Sequence, residues 1–170
     1  MAQDTVRQAK VLTVSDSIAA GSREDTSGSA LTKKLESDSY SVIDTRVVPD
    51  DIEEISNALS SMAYGFNGLI ITTGGAGFGQ RDFTPEATKR ILDRVAPGMS
   101  EAMRKASPKG RLSRAIAGTR GAALILNLSA DPERAVHMLD AVLDVVPEAV
   151  ELLGGGSIPT TDAVELTTVD

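Results

Sequence analysis

With 170 residues, 41% hydrophobic and 24% charged, the chain suits one domain with a full core, since a chain of this size buries about 70% of its unfolded surface. Its net charge of -7 argues against general nucleic-acid binding, because a phosphate backbone rewards clustered Lys and Arg, but it does not exclude a local basic pocket. The absence of Cys removes disulfides, thiol chemistry and Cys-based zinc sites; the first ten residues, MAQDTVRQAK, lack a signal-peptide core, and no apolar run is long enough to cross a membrane, so the expectation is a cytoplasmic protein with no membrane partner.

Lys10 to Ser15 reads as a first strand, short and β-branched. Ser15, Asp16, Gly21, Glu24, Asp25 and Ser27 form a polar loop, and a helix follows from about Gly28 to Ser37 with Leu31 and Leu35 on one face. Ser41 to Val48 is a second strand, closed by Pro49 and the acidic pair Asp50 and Asp51. A helix with Ile52, Ile55, Leu59 and Met62 on one side follows it. The run from Leu69 to Ile71 predicts a buried strand that enters a loop with Gly74, Gly75, Gly77 and Gly79. Beyond Arg81 and Asp82, Thr84 is the expected N-cap and Pro85 the first residue of a helix carrying Ala87, Ile91, Leu92 and Val95.

Gly98 to Ala106 fits a short helix, and Ser107, Pro108 and Gly110 a loop. Arg111 to Gly118 and Ala122 to Ser129 are two strand-like runs joined near Thr119–Gly121, so a hairpin excursion is expected near 111–122. The second run, AALILNLS, is almost wholly apolar, as a central strand covered on both faces should be. Asp131 and Pro132 open a last helix with Val136, Leu139, Leu143, Val146, Val150 and Leu153 as its stripe; Pro147 should kink or divide it, and Gly154–Gly156 end it. Alternating strands and helices predict a three-layer αβα domain with a mostly parallel central sheet over residues 1–156, and a mobile polar tail over 157–170.

The glycine loop is the candidate site, because parallel α/β proteins bind ligands beyond the carboxyl ends of their strands, where glycines let N–H groups close on an anion. Gly74 to Gly79 has the G-x-x-x-x-G of a P-loop, but Gln80 and Arg81 stand where Lys and Ser or Thr are required. The dinucleotide pattern G-x-G-x-x-G also fails on spacing. Glycines alone are weak grounds, since such loops often merely turn tightly against a sheet. Asp82 after the third strand and Asp50 after the second add a second signal. If those strands run parallel, both carboxylates lie at one sheet edge, where they would hold Mg²⁺ with waters and substrate phosphates. The structural alternative, that Asp50 and Asp51 cap the next helix while Asp82 pairs with Arg81 or caps at Thr84, stays equally open from spacing alone.

Several motifs in order resemble the MogA/MoaB-type molybdopterin adenylyltransferases, related to the gephyrin G domain. They are TVSD (13–16), EDTSG (24–28), VVPDD (47–51), TTGGAG (72–77), RDFTPEAT (81–88), PGMSEAMR (97–104), LSRAIAG (112–118), RGAALILNL (120–128) and Asp131 with Pro132. The resemblance spans about residues 10–153 and implies the molybdopterin-binding fold. It also implies transfer of AMP from ATP to the phosphate of molybdopterin, with Mg²⁺ required and pyrophosphate released. By the same resemblance Asp50 and Asp82 match the catalytic and Mg²⁺-handling acids. Thr73, Gly74, Gly75, Ala76 and Gly77 match the pterin and phosphate loop, and Ser15, Asp16, Ser107, Ser113 and Arg114 match further pocket positions. Members are commonly homotrimers, sometimes hexamers, and pass their product to a molybdenum-inserting protein.

The chemistry needs positioning and charge neutralisation and no Ser, Cys or His nucleophile. The single His, His137, falls in the last helix, where packing or a surface place is expected. Arg81, Arg114 or Arg120 would neutralise developing charge, and Phe78 is the one aromatic in the loop placed to stack on a pterin. Two departures stand out: Ala76 where the family usually has Thr, and Ser129-Ala130 where it commonly has Pro-Gly. They motivate the alternative of a non-catalytic molybdopterin-binding carrier or scaffold.

Overall fold

A computed structural model describes residues 6–156, and the expected tail lies outside the described residues. The strands are β1 (Arg7–Val14), β2 (Tyr40–Val48), β3 (Gly68–Thr73), β4 (Arg94–Val95), β5 (Ala117–Arg120) and β6 (Ala123–Leu128). They form one sheet in the order β2-β1-β3-β6-β5-β4. The four strands from β2 to β6 are parallel to one another, while β5 runs antiparallel to β6, and β4 to β5. The mostly parallel sheet and the hairpin excursion are therefore both present.

Helices α1 (Asp16–Ala19), α2 (Thr26–Ser37), α3 (Ile52–Ala63), α4 (Thr84–Ile91), α5 (Pro97–Lys105), α6 (Pro132–Asp140) and α7 (Val146–Leu153) complete the described residues. Period-two alternation along the central strands divides their side chains between two cores. Ala9, Val11, Leu69, Ile71, Leu124 and Leu126 pack with Leu31, Leu35, Met103, Met138 and Leu139 of α2, α5 and α6. Leu12, Val14, Ile70 and Ile125 pack on the other face with Ile55, Leu59 and Met62 of α3 and Ala87 and Ile91 of α4. Both β3 and β6 are buried along their whole length, which accounts for their mostly apolar sequence. Among the described residues no helix is long and apolar enough to cross a membrane.

The structure differs from the sequence expectations in several places. Asp16–Ala19 forms a short helix instead of loop, because the Ser15 hydroxyl accepts from the Ile18 amide as its cap. The helix from residue 84 ends at Ile91 rather than reaching Val95: the Asp93 amide donates to Thr119 and the Ala96 amide to Ala117, so the sheet edge captures this segment as β4. Arg111–Gly118 is not one strand; a 3-10 turn over Pro108–Leu112, capped by Ser107, takes its first part. The last helix divides over residues 141–145, ahead of Pro147, which sits in the first turn of α7 where its missing N–H costs nothing.

Gly74 closes β3 at φ +100°, and a Cβ there would stand 2.2 Å from the Val14 carbonyl oxygen. Gly121, at φ +55°, has open space around the corresponding position. We expect Gly74→Ala to lower stability by about 3 kcal/mol in urea denaturation and Gly121→Ala by about 1 kcal/mol, because only the former adds a backbone collision to the left-handed penalty.

Candidate active site

Parallel register sets the site. Val14 pairs with Val48, Thr13 with Thr73, and Thr73 with Leu128, so β1, β2, β3 and β6 all end at the same sheet edge. The chain leaves that edge through Ser15–Asp16, Pro49–Asp50, the glycine loop and Ser129–Asp131. Of the arginines expected near charge, Arg120 is excluded from it: Arg120 pairs with Ala123 at the start of β6 and donates to Ile91 and Asp93 at the opposite edge.

The two acids after β2 divide their work. Asp51 is the N-cap of α3, its carboxylate accepting from the Glu54 amide. Asp50 is not a cap: its Oδ2 accepts from the Asp16 amide at 2.8 Å, while the Asp50 amide donates to Asp16 Oδ1 at 3.0 Å. The other oxygen, Oδ1, faces the glycine loop, 3.3 Å from where a Cβ on Gly75 would sit. Burial pushes the Asp50 carboxyl above the usual range, and the negative charges of Asp16 and Asp82 add to that push, against the opposing effects of the Asp16 amide and Arg81. Asp16 is held below its usual value by the guanidinium of Arg81, whose Nε donates to Asp16 Oδ2 at 2.7 Å.

The loop itself is tied down at both ends. The Gly74 amide donates to Leu128, the Thr84 amide to Gly75, and the Thr84 hydroxyl to the Gly74 carbonyl at 2.9 Å. Thr84 is thus the first residue of α4 and a loop brace instead of the expected N-cap, which is Phe83. Asp82 Oδ2 accepts from the Gly79 amide at 2.8 Å, folding the carboxylate back under the loop. Among the described residues, the amides of Gly75, Ala76 and Gly77 have no protein acceptor, which leaves a row of N–H donors for an anion.

Arg114 is a clamp and has little freedom to neutralise a ligand. Its Nη2 donates to the Asp82 carbonyl at 2.7 Å, its Nε to the Gly77 carbonyl, its Nη1 to Glu86, and its amide to the Ala76 carbonyl. Glu86 is a member of the site that sequence reasoning missed, because the approach of two oppositely charged residues from 114 and 86 has no local signal. Thr73 is fully buried and gives its hydroxyl to the Ser129 carbonyl at 2.7 Å, so its side chain braces the loop against the β6 end. Ala76 is 8% exposed and its methyl belongs to the core, so this residue meets the loop only through its backbone. Phe78, by contrast, is 69% exposed. His137 is exposed on α6, the surface place expected of it.

Ser107 and Ser113 come together elsewhere, in the lining of a cavity of about 720 Å³ with Glu101, Arg104, Lys105, Pro108 and Arg111. Ser107 caps the 3-10 turn, and Ser113 accepts from the Ala115 amide. The concentration of Arg104, Lys105 and Arg111 there is not visible in sequence, because the turn that gathers them reads as an undistinguished loop.

A parallel sheet with paired acids and a braced glycine loop at its carboxyl edge is the architecture of a defined family. Residues 10–148 match the probable molybdopterin binding domain, and the chain belongs to that family. It is 36% identical over 152 residues to the molybdopterin adenylyltransferase of Helicobacter pylori strain J99, an alignment that covers 85% of this chain and 86% of that protein. Gephyrin of Dictyostelium discoideum is 38% identical over 157 residues, covering 84% of this chain and 22% of gephyrin. The crystal structure of the molybdopterin biosynthesis enzyme MoaB from Thermus thermophilus superimposes with a TM-score of 0.83 at 41% identity, over 88% of this chain and 97% of that one.

Arg114→Met removes charge-assisted hydrogen bonds from two loop carbonyls and should lower stability by about 2 kcal/mol in urea denaturation, with faster amide exchange across residues 74–82. Asp50→Asn should raise the melting temperature of the metal-free protein at neutral pH. A carboxyl whose folded-state value is raised opposes folding above that value and is neutral in both states below the unfolded one, so the gain should vanish as pH falls through the ordinary Asp range.

Proposed function

We propose that the protein is a molybdopterin adenylyltransferase of molybdenum cofactor biosynthesis. A phosphate oxygen of molybdopterin attacks the α-phosphorus of ATP; the new P–O bond forms as the bond to the β-phosphate oxygen breaks, and pyrophosphate leaves. The observation that carries this reading is the convergence, at one sheet edge, of Asp50 and Asp82 with the unpaired amides of Gly75, Ala76 and Gly77.

Those amides donate to phosphate oxygens in a fixed frame that needs no reorganisation during reaction. Asp50 and Asp82 would hold Mg²⁺. Each keeps one oxygen without a protein donor among the described residues, and a cation would offset the burial that works against the ionised Asp50. Two carboxylates are an incomplete ligand set, which suits an ion that retains waters and substrate oxygens. When bound, Mg²⁺ supplies positive charge to ATP oxygens.

With Arg114 engaged by loop carbonyls and Arg81 by Asp16, charge neutralisation falls to the amides and the cation. The basic cavity lined by Arg104, Lys105, Arg111, Ser107 and Ser113 is the place for the second anionic substrate. Exposed Phe78 would offer a ring to the pterin. The reading extends to a cytoplasmic homotrimer or hexamer whose product is taken up by a molybdenum-inserting protein.

Purified protein given Mg-ATP and molybdopterin should release pyrophosphate and form adenylylated molybdopterin. Asp82→Asn should lower kcat about 100-fold with a smaller change in substrate binding, as expected of a group acting mainly in the transition state. Calorimetric uptake of molybdopterin without pyrophosphate release, while a proven adenylyltransferase turns over in parallel, would instead identify a carrier.

A further inference from the structure

Asp50 is gripped at three separate points by just two side chains and one amide. Its carboxylate Oδ2 accepts from the Asp16 amide, its own amide donates to Asp16 Oδ1, and its carbonyl accepts from Arg81 Nη2 at 3.0 Å. Arg81 in turn holds Asp16 through Nε at 2.7 Å and through Nη2 at 3.2 Å. The reciprocal Asp16–Asp50 pair brings two carboxylates side by side, an arrangement that like charge opposes unless a cation lies against it. Arg81 is that cation, and it comes from the far end of the glycine loop, so one guanidinium joins the β1–α1, β2–α3 and β3–α4 turns.

We propose that Asp16 and Arg81 are positioning residues that act as a latch: Arg81 fixes the Asp16–Asp50 pair and thereby aims the free oxygen of Asp50 at the glycine loop. The consequence for turnover rests on the adenylyltransferase reading, while the latch itself does not. The competing role for Arg81 is direct contact with substrate phosphate. Its side chain is 63% exposed, but the guanidinium face used on Asp16 and the Asp50 carbonyl is the fork that a bidentate phosphate contact would require.

The two roles separate in a double-mutant cycle of Asp16→Asn, Arg81→Gln and the double variant. Asp16→Asn keeps one oxygen as acceptor for the Asp50 amide but removes the charge and replaces the oxygen that accepts from Arg81 Nε with a donor, so it breaks the Arg81 tie. A latch predicts that each single variant lowers kcat about tenfold with KM for ATP changed less than twofold, that the double variant is no worse than either single, and that Arg81→Lys recovers only part of the loss. Amide hydrogen exchange in the absence of substrate provides the independent reading. The Asp16 and Asp50 amides should exchange about tenfold faster in Arg81→Gln, with the Leu12 amide in β1 unchanged. Multiplicative losses in the double variant, or a raised KM for ATP with kcat retained, would make Arg81 a phosphate ligand and overturn the latch; so would unchanged exchange at Asp16 and Asp50. A wild-type protein without turnover would refute the adenylyltransferase reading and leave the exchange result to decide the latch.

Discussion

Everything at the candidate site depends on the parallel register of β2, β1, β3 and β6. Four strands ending at one level deliver four turns to one edge, and the Asp16–Asp50 pair forms, with the charge of Asp82 felt at Asp50, only because of that alignment. A one-residue slip of β2 against β1 would invert the side chains of β2 and carry Asp50 away from the Asp16 amide. The two cores protect the register, since aliphatic side chains alternate between the faces of β1, β3 and β6 and fit only one pairing.

Around that frame the polar groups are arranged to keep the loop rigid and its donors available. Thr73, Thr84 and Arg114 all spend their side-chain hydrogen bonds on loop or flanking carbonyls. With the carbonyls occupied from behind, the amides of Gly75, Ala76 and Gly77 are left without protein partners. Arginines that look in sequence like ligands for phosphate are thus used for structure, and the binding potential lies in backbone N–H groups instead. Ala76 is consistent with this division: its methyl packs into the core, and the loop keeps its form through the Ala76 carbonyl and the Arg114 amide.

The burial of Asp50 among other acids is a local cost that the fold tolerates. A carboxylate pushed upward by burial and by two neighbouring negative charges is destabilising where it stands. Such conflicts between stability and local chemistry are concentrated at functional sites, and the surrounding caps and clamps offset them.

The central layer of the fold and the position of the glycine loop at its carboxyl edge were legible along the chain. Apolar runs at 69–71 and 123–128, the second interrupted only by Asn127, required buried strands, alternation with amphipathic helices required a parallel sheet, and the glycines marked a strand-to-helix loop at the sheet edge. Local rules also placed Asp131 as a cap. Features with no local signature were left to long-range packing. The sheet edge turned Arg94–Val95 into a strand against its helical periodicity, because pairing with β5 satisfied backbone groups that a longer α4 would have had to satisfy within itself. Packing also chose Asp51 over Asp50 as the cap, sent Arg120 to the opposite edge, and committed Arg114 to Glu86 and the loop. The ties that fix Arg81 and Arg114 join residues 28 to 65 positions apart, set by which turns the register brings together, and no spacing along the chain encodes them.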